Sequence, residues 1–343
     1  MAQANLYGRD RASLREWLTR FDAPPFHADQ LYRWWYARRR FDPDDWTDLP
    51  VALRHQIAEE AVVDPGTLAE SARADDGTVK YLVTLGDGRS VESVYMEQDG
   101  RVTLCISSQV GCALDCDFCL TARMGFVRHC TPGEIVGQVA RIQDLHGMGN
   151  DRFNVVFMGM GEPLHNFDGV VGAVRLLTDA DGFGLSWRRV TVSTSGMVPA
   201  IERLAEETVH PRLAVSLNAT TDETRSRIMP INRKYPIARL IEACKKWTRT
   251  TGQSFTFEYV LLDGVNCSDA DVDRLAALTD GLAVKVNLIP FNPVPELLDY
   301  NAPSKARIFA LRDRLLDRGV RVSIRWSRGQ DAKAACGQLA LLS

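Results

Sequence analysis

Residues 111–119 read Gly-Cys-Ala-Leu-Asp-Cys-Asp-Phe-Cys and contain three cysteines, Cys112, Cys116 and Cys119, in the spacing C-x3-C-x2-C. Three thiolates this close together can hold three irons of a [4Fe–4S] cluster, which four cysteines normally complete. The fourth iron then keeps a free position for a small molecule. A structural zinc site is the alternative, but zinc sites usually pair two C-x2-C knuckles or add histidines at fixed spacing. The sequence has no second knuckle.

The three-cysteine spacing resembles that of the radical S-adenosylmethionine (SAM) superfamily. By that resemblance, the open iron binds the amino and carboxylate groups of SAM. An electron from the cluster then cleaves SAM to a 5′-deoxyadenosyl radical. The resemblance therefore implies a [4Fe–4S] cluster and SAM as cofactors.

Composition is typical of a globular protein in a reducing compartment. The chain has 343 residues, of which 45% are hydrophobic and 25% charged, and its net charge of −3 argues against nonspecific coating of nucleic acid. No apolar run approaches the roughly 18 residues that span a bilayer, and the first ten residues lack the pattern of a secretory signal. Eight cysteines in such a chain indicate metal or thiol chemistry rather than a disulfide scaffold. We expect a cytoplasmic protein with no membrane segment.

The first 75 residues have a helical pattern. Leu14, Trp17 and Leu18 recur at the spacing of one helix face. Four arginines, Arg33, Arg38, Arg39 and Arg40, cluster around three aromatic residues at 34–36, a composition that suits RNA binding. An amphipathic helix whose aromatic side chains face its own core is the open alternative. We therefore expect a small helical, RNA-binding accessory domain over residues 1–75.

Two further segments complete the predicted domain organisation. A Gly-Asp-Gly turn at residues 86–88 predicts a β-hairpin from Val79 to Met96, so residues 76–100 are expected to form a hairpin connection. Residues 101–343 form the expected radical SAM core, which ends in a loop carrying a catalytic cysteine.

Strands and helices alternate through this core. Strands are predicted at Val102–Ser107, Asn154–Met158, Arg189–Ser193, Leu213–Leu217, Thr256–Leu261, Lys285–Ile289 and Val320–Ile324. Helices are predicted at about 132–146, 168–179, 197–207, 236–250, 268–280 and 304–317. Six such units imply an α/β fold with a parallel sheet and right-handed crossovers, a partial open (β/α)6 barrel. Its chemistry is expected at the C-terminal ends of the strands.

Polar motifs follow these strand ends. Gly161 and Glu162 follow the second strand, where glycine allows close backbone approach and the carboxylate could accept a hydrogen bond from an ammonium group. Further candidates for a nucleoside pocket follow the third, fourth and sixth strands: Ser193, Ser216, Leu217, Asn218 and Asn292. Each could instead be a helix cap or a turn residue. Their recurrence at successive strand ends favours the pocket.

Two cysteines outside the cluster motif are candidates for thiol chemistry. Cys105 lies on the first predicted barrel strand, and Cys336 lies in a loop-like tail that could fold back over the barrel and present a thiolate nucleophile. The other three cysteines, Cys130, Cys244 and Cys267, are expected to be buried as small apolar side chains.

Longer segments resemble the RlmN/Cfr family of radical SAM RNA methyltransferases. The segments that carry the resemblance are residues 24–30, 92–95, 103–112, 124–126, 157–163, 189–196 and 334–339. The resemblance covers nearly the whole chain, and residues 109–114 with 125–126 look more like the RlmN branch.

This family methylates a ring carbon of adenosine in RNA. Its usual target is C2 of adenosine 2503 in 23S rRNA, with adenosine 37 of some tRNAs as a second substrate, whereas the Cfr branch methylates C8 of the same rRNA adenosine. Direct methyl transfer from SAM to C2 fails because this carbon is not nucleophilic. The resemblance therefore implies that 2-methyladenosine is the product and that two SAM molecules are used in each turnover.

The resemblance also assigns roles to individual residues. A first SAM methylates Cys336, and the radical made from a second SAM takes hydrogen from that methyl group. The methylene carbon then bonds C2 of the adenine, Glu92 accepts the C2 proton, and Cys105 attacks the sulfur of Cys336 to leave a transient disulfide. A donor such as flavodoxin supplies electrons, the target base is expected to leave its stack, and we expect a monomer.

Departures from the family pattern concern the substrate more than the chemistry. Asn218 stands where the family usually has histidine, and His129, Cys130 and Ala332 also depart from the family pattern. The alternatives at this point are C8 methylation and a noncatalytic iron–sulfur factor for RNA binding or ribosome assembly. The noncatalytic alternative leaves Cys105 and Cys336 without a purpose.

Overall fold

The computed structural model describes residues 3–149, 153–294 and 299–341. The helices are α1 Arg11–Leu18, α2 Phe26–Tyr32, α3 Val51–Glu60, α4 Leu120–Arg123, α5 Pro132–Leu145, α6 Phe167–Thr178, α7 Val198–Leu204, α8 Asp222–Ile228, α9 Ile237–Thr251, α10 Asp269–Thr279 and α11 Lys305–Asp317. The strands are β1 Ala4–Asn5, β2 Ala61–Val62, β3 Thr67–Arg73, β4 Val79–Thr84, β5 Ser90–Gln98, β6 Arg101–Cys105, β7 Gln109–Gly111, β8 Phe126–His129, β9 Phe153–Phe157, β10 Val190–Thr194, β11 Arg212–Ser216, β12 Phe255–Leu261, β13 Val284–Pro290 and β14 Val322–Ile324.

One ten-stranded sheet organises the molecule. Its order is β14-β13-β12-β11-β10-β9-β6-β5-β4-β3, and every pair from β6 to β14 is parallel. Strands β5, β4 and β3 extend it with antiparallel pairs. Among the described strands, β14 and β3 are the two edges, so the sheet does not close. The predicted partial open barrel is confirmed.

Alternation along the parallel strands separates the core from the site. In β10, Val190 and Val192 are fully buried, whereas Ser193 lies on the other face and lines a cavity. Successive side chains of a strand point to opposite faces, so the apolar set packs beneath the helices and the polar set faces the barrel interior. A shift of one residue in register would exchange the two sets.

The N-terminal region differs from its prediction in two ways. Residues Thr67–Arg73 form an edge strand. The prediction that residues 1–75 are helical is therefore wrong for this last part of the range. Trp34, Trp35 and Tyr36 are buried, so they belong to the region's own core and cannot stack on RNA bases. Their arginine neighbours Arg33, Arg38 and Arg40 remain exposed. The hairpin predicted at Val79–Met96 is confirmed by the pairing of β4 with β5.

Candidate active site

A cavity opens at the C-terminal ends of the parallel strands. It encloses about 960 Å³, including the part open to solvent, which is within the range of small-molecule sites. We call it the cluster cavity, because all three motif cysteines line it: Cys112, Cys116 and Cys119. The predicted candidates Gly161, Glu162, Ser193, Ser216, Asn218, Asn292 and Cys336 line it as well. The sequence prediction therefore placed these residues at one site.

A small hairpin, β7 paired with β8, holds the cysteine loop. Gly111 ends β7 with φ +75, and a Cβ added there would lie 1.8 Å from the carbonyl oxygen of Gly125. That carbonyl accepts a hydrogen bond from the Cys112 N–H at 3.0 Å. Only glycine fits this close approach in a left-handed conformation. The hairpin thus fixes where the cysteine loop begins.

The three motif thiols lie near one another and are only partly exposed to solvent. Burial raises the pKa of Cys112 to about 12, and the nearby Cys119 adds to the shift. Burial, Cys119 and Cys112 raise the pKa of Cys116 well above its usual value. Thiols this close and this buried form an unfavourable set of anions unless a metal binds them, because metal coordination removes the thiol proton outright.

The donor set fits a cluster in which each thiolate binds a different iron. Within the described ranges, no three metal-binding side chains meet at a point suited to a single ion. The residues that would hold the cluster are Cys112, Cys116 and Cys119, and the rest of the cavity would hold SAM.

Glu162 presents a buried carboxylate to this cavity. Its Oε2 accepts hydrogen bonds from the N–H and the hydroxyl of Ser195, both at 2.8 Å, and its Oε1 accepts one from the Leu164 N–H at 3.0 Å. Burial raises the pKa of Glu162 despite these hydrogen bonds. Glu162 lines the cavity, so its carboxylate would attract a cation there, such as the ammonium group of SAM.

Gln109 holds the backbone of Glu162 in place, a role that the sequence analysis did not predict. Its Oε1 accepts a hydrogen bond from the Glu162 N–H at 2.7 Å. Gly161 has φ +97, and a Cβ there would lie 2.5 Å from the Gln109 Cβ. The glycine before the glutamate is thus required by the packing of Gln109, which gives the Gly-Glu motif a structural reason in addition to ligand binding.

Some predicted pocket residues have structural partners of their own. Asn218 has φ 55, and its Oδ1 accepts a hydrogen bond from the Val260 N–H at 2.8 Å. Asn292 donates to the Cys336 carbonyl at 3.0 Å. Leu217 has a fully buried side chain, so any contact with a nucleoside would come from its backbone. Asn218 is therefore both a turn residue and a residue that lines the cavity, so the two alternatives for this position hold together.

A buried arginine, Arg225, ties the strand ends together. Its guanidinium donates to the carbonyls of Leu217, Ser195 and Ser216 at 2.9, 2.6 and 3.0 Å. It also donates to Asn232 Oδ1 at 3.0 Å. Burial lowers the pKa of Arg225 to about 10, although the nearby Cys116 opposes the shift. Sequence reasoning missed this residue, whose only signal was a position shortly after the Ser216–Asn218 motif.

A second cavity lies on the other side of Cys336. We call it the thiol cavity, because both Cys105 and Cys336 line it. Burial raises the pKa of the Cys105 thiol to about 12, and the nearby Cys336 contributes to the shift. The structure thus brings together the two thiols that the sequence separates by most of the core. The remaining cysteines Cys130, Cys244 and Cys267 are buried as expected.

The segment that carries Cys336 is held on both sides by residues 67–98, which comprise the antiparallel strands β3–β5 and the turns between them and which we call the N-terminal hairpin. Before Cys336, the Asp76 carboxylate accepts from the Gly329 N–H at 3.0 Å and pairs with the Arg328 Nε at 3.3 Å. After Cys336, Glu92 Oε2 accepts from the Ala340 N–H at 2.9 Å. We call residues 328–340, which these contacts hold, the cysteine segment.

Glu92 is placed differently from a free catalytic base. It is buried, and its Oε1 pairs with the Lys80 Nζ at 2.9 Å while its Oε2 holds Ala340. Among the described residues, it lies outside the lining of both cavities. In this conformation Glu92 anchors the cysteine segment, and access to a substrate base requires the Ala340 contact to open.

Glu258 is a further carboxylate that sequence reasoning missed. It lines the cluster cavity, its Oε1 accepts from Asn287 Nδ2 at 3.0 Å, and its buried Oε2 has no hydrogen-bond partner within the described residues. Arg325 Nη1 lies 3.8 Å from that oxygen. Burial raises the pKa of Glu258.

The parallel fold and the three-cysteine cavity define a radical SAM enzyme. The model of the Radical SAM superfamily matches residues 106–276, and the model of the Ribosomal RNA large subunit methyltransferase N-terminal domain matches residues 4–63. A radical SAM methyltransferase from Sphaerobacter thermophilus has a similar crystal structure, with a TM-score of 0.92 and 44% identity over 98% of this chain and 99% of that chain.

Curated relatives narrow the class to one family. The chain is 50% identical to the "Dual-specificity RNA methyltransferase RlmN" of Anaeromyxobacter sp. (strain Fw109-5), over 92% of this chain and 85% of that protein. It is 46% identical to the "Dual-specificity RNA methyltransferase RlmN 2" of Myxococcus xanthus (strain DK1622), over 92% and 84%. The chain belongs to the RlmN family of radical SAM RNA methyltransferases. The predicted family, enzyme class and cofactors are thereby confirmed, and the zinc alternative is set aside.

The structure also bears on the predicted absence of a membrane segment. No helix in the described parts of the chain has the length and apolar composition needed to cross a bilayer.

Proposed function

We propose that this protein makes 2-methyladenosine in RNA, at adenosine 2503 of 23S rRNA and at adenosine 37 of tRNA. The observation that carries the proposal is the position of Cys336, which lines both the cluster cavity and the thiol cavity. One cavity would hold the radical source, and the other contains the second thiol. A carrier of a methyl group must reach both, and Cys336 does.

The bound [4Fe–4S] cluster and SAM would supply a methyl group and then a radical that removes one hydrogen from it. Cys336 carries this methyl group on its sulfur and presents it to C2 of the adenine. Glu162 holds the ammonium group of SAM, and Ser193, Ser216 and Asn218 face its nucleoside part. Asn292 orients Cys336 through the backbone carbonyl of that residue.

Two residues complete the transfer. Glu92 accepts the C2 proton once its contact with Ala340 opens. Restoring the aromatic ring also removes one electron from the covalent adduct, which the cluster would accept. The Cys105 thiolate then attacks the sulfur of Cys336 and forms a disulfide, the bond between that sulfur and the methylene carbon breaks with its electron pair on carbon, and this carbon takes up a proton to give the methyl group of the released base. The disulfide takes two electrons from an external reductant, such as a flavodoxin or thioredoxin system. The enzyme acts as a cytoplasmic monomer.

The first test is mass spectrometry of digested 23S rRNA and tRNA from cells with and without the gene. Loss of 2-methyladenosine supports the proposal, and the RNA pool that loses it names the substrate. An unchanged C2 mark with loss of 8-methyladenosine would move the protein to C8 chemistry. No change in either mark would contradict both.

A second test concerns Cys336 alone. We expect Cys336→Ala to abolish RNA methylation while the purified protein keeps its iron content and visible absorption. Cys244→Ala is the matched control, because this buried thiol lies in α9, outside both cavities. Methylation by the Cys336→Ala variant at the rate of the control would remove the proposed methyl carrier.

A further inference from the structure

The thiol cavity is large and polar enough to hold more than a second thiol. It encloses about 1130 Å³, including its open mouth. It shares Cys336, Met158 and Arg325 with the cluster cavity, but Cys105 lines the thiol cavity alone. The methyl carrier thus stands at the boundary between the two spaces. Because the cluster and SAM would occupy the first, the methyl acceptor has room in the second.

The charge of the thiol cavity favours an anion. Three arginines, Arg101, Arg325 and Arg328, line it with a single aspartate, Asp99, although the whole chain has a net charge of −3. Arginine side chains suit phosphate groups, because the planar guanidinium can donate two parallel hydrogen bonds. The charge available to a ligand therefore depends on which of these arginines already have carboxylate partners.

The three arginines have different partners. Arg328 pairs with Asp76, and Arg325 lies 3.8 Å from Glu258. Arg101, at the start of β6, is exposed, and no ion pair forms to it within the described residues. Of the three arginines, Arg101 can therefore bind an anionic ligand without first giving up an ion pair.

An exposed aromatic pair lies at the rim of the same cavity. Trp326 lines it and is 46% exposed, which is high for the largest apolar side chain. Phe309 of α11 is 39% exposed and packs edge-on to Trp326 with ring centroids 6.1 Å apart. Unpaired RNA bases stack on such platforms, whereas bases inside a duplex cannot reach them.

We propose that Arg101 and the exposed pair Trp326 and Phe309 form a binding surface for a single-stranded segment of RNA at the rim of the thiol cavity, which guides the target adenosine to Cys336. Arg101 contacts a backbone phosphate, and Trp326 stacks on a neighbouring base. This inference rests on the proposed function, because it takes RNA as the substrate. It adds the residues that guide the RNA strand to the thiol cavity, whereas the extrusion of the base is already implied by the family resemblance.

The test uses the reconstituted holoenzyme and a hairpin RNA with one adenosine in its loop. We expect Trp326→Ala to weaken binding of this RNA about tenfold, since stacking of one base contributes on that order, with an unchanged salt dependence. We expect Arg101→Gln to weaken binding and to reduce the slope of log Kd against log salt by about 0.7, the value for one phosphate of a single strand.

Matched controls are available on other surfaces. Arg249→Gln removes an exposed arginine of α9, and Leu316→Ala removes an exposed apolar side chain that is 48% accessible. Both controls should bind the hairpin RNA like the wild type. Methylation of Cys336 by SAM without RNA, followed by protein mass, should be equal in all variants, which shows that the cluster cavity is intact.

The outcomes separate the two proposals. If the wild type methylates the hairpin RNA but Trp326→Ala and Arg101→Gln behave like their controls, the inference is wrong and the proposed function stands. Equal binding of the hairpin and of a fully paired duplex would also overturn the inference. If the wild type neither binds nor methylates RNA, both fail.

Discussion

At the scale of single residues, buried groups with unusual pKa values surround the two cavities. Burial raises the pKa of the thiols of Cys105, Cys112 and Cys116. It also raises the pKa of the Glu162 carboxyl group. Such groups are costly to bury and cluster at functional sites. Their cost is offset when a metal binds the thiols of the motif. Cys105 has no such partner, so its chemistry depends on pH.

Cys105 should control the pH dependence of product release. A thiol with a pKa of about 12 is almost entirely protonated at pH 7, and its reactive thiolate increases about tenfold for each pH unit below the pKa. We expect release of methylated RNA from Cys336, measured in a single turnover, to accelerate from pH 7 to pH 9. In Cys105→Ala the RNA should remain bound covalently at every pH, seen as a shifted band on a denaturing gel. Free product from that variant would remove the role of Cys105.

Arg225 should be required for SAM binding although it is buried beneath the pocket. Arg225→Gln leaves carbonyls of Ser195, Ser216 and Leu217 without donors, at a cost of about 1–3 kcal/mol for each buried group. We expect lower stability by denaturant unfolding and at least tenfold weaker SAM binding by equilibrium dialysis. Arg227→Gln, on the exposed face of the same helix, is the control. Equal SAM affinity in the two variants would contradict the positioning role.

At the scale of elements, the hairpin of β7 and β8 determines whether the cysteine loop can form. Gly111 and Gly125 both have positive φ, but only Gly111 meets another backbone atom at the Cβ position. The two glycines therefore separate the effect of backbone strain from that of a clash.

Gly111→Ala should abolish cluster assembly. The added methyl group would overlap the Gly125 carbonyl, which must move and release the Cys112 N–H. Iron content and visible absorption after reconstitution measure the effect. Gly125→Ala adds a methyl group into open space and should lose only about 1 kcal/mol of stability while it assembles the cluster. Normal iron content in Gly111→Ala would show that the hairpin is dispensable.

Local patterns predicted the parallel core, because each βα unit carries its own periodicity. The observed β12 at Phe255–Leu261 and α10 at Asp269–Thr279 lie within one residue of their predicted bounds. The sequence did not reveal β7, β8 and α8, which are short and depend on contacts with distant segments. Arg225 is the clearest case, since its partners lie on the ends of two other strands. The clustered candidates were predicted from strand ends, whereas the anchoring contacts of Glu92 required the structure.

At the scale of the whole molecule, the N-terminal hairpin and the C-terminal cysteine segment form one unit. Asp76, in the turn between β3 and β4, and Glu92, in β5, hold the two sides of the cysteine segment. The antiparallel extension therefore does more than lengthen the sheet, because it positions the thiol of the last segment over the cavities.

Asp76→Asn should loosen the cysteine segment without affecting the cluster. Burial would raise the pKa of Asp76, but hydrogen bonds from Thr78 and Gly329 together with Arg328 lower it overall. A lowered pKa means that the contact stabilises the fold above about pH 3.8 and is lost as the pH falls below it. At pH 7.5 we expect the variant to lose about 1 kcal/mol, a partly exposed interaction being screened.

Limited proteolysis after Arg328 and the rate of RNA methylation measure the loosening. Cleavage should become faster and methylation severalfold slower than in the wild type. Asp273→Asn, which removes a surface ion pair with Arg318, is the control and should leave both rates unchanged. Cleavage of Asp76→Asn no faster than that of the control would show that other contacts hold the segment.

The order of the ten strands has a consequence for biosynthesis. Apart from the small hairpin, each strand pairs with the next one along the chain, from β3 at one edge to β14 at the other. A nascent chain can therefore add strands in the order in which the ribosome delivers them, without waiting for a distant partner. The cysteine segment is the exception, since it returns to the hairpin made first. Cys336 thus reaches its place only after the sheet is complete, so an unfinished chain cannot present the residue that we propose as the methyl carrier.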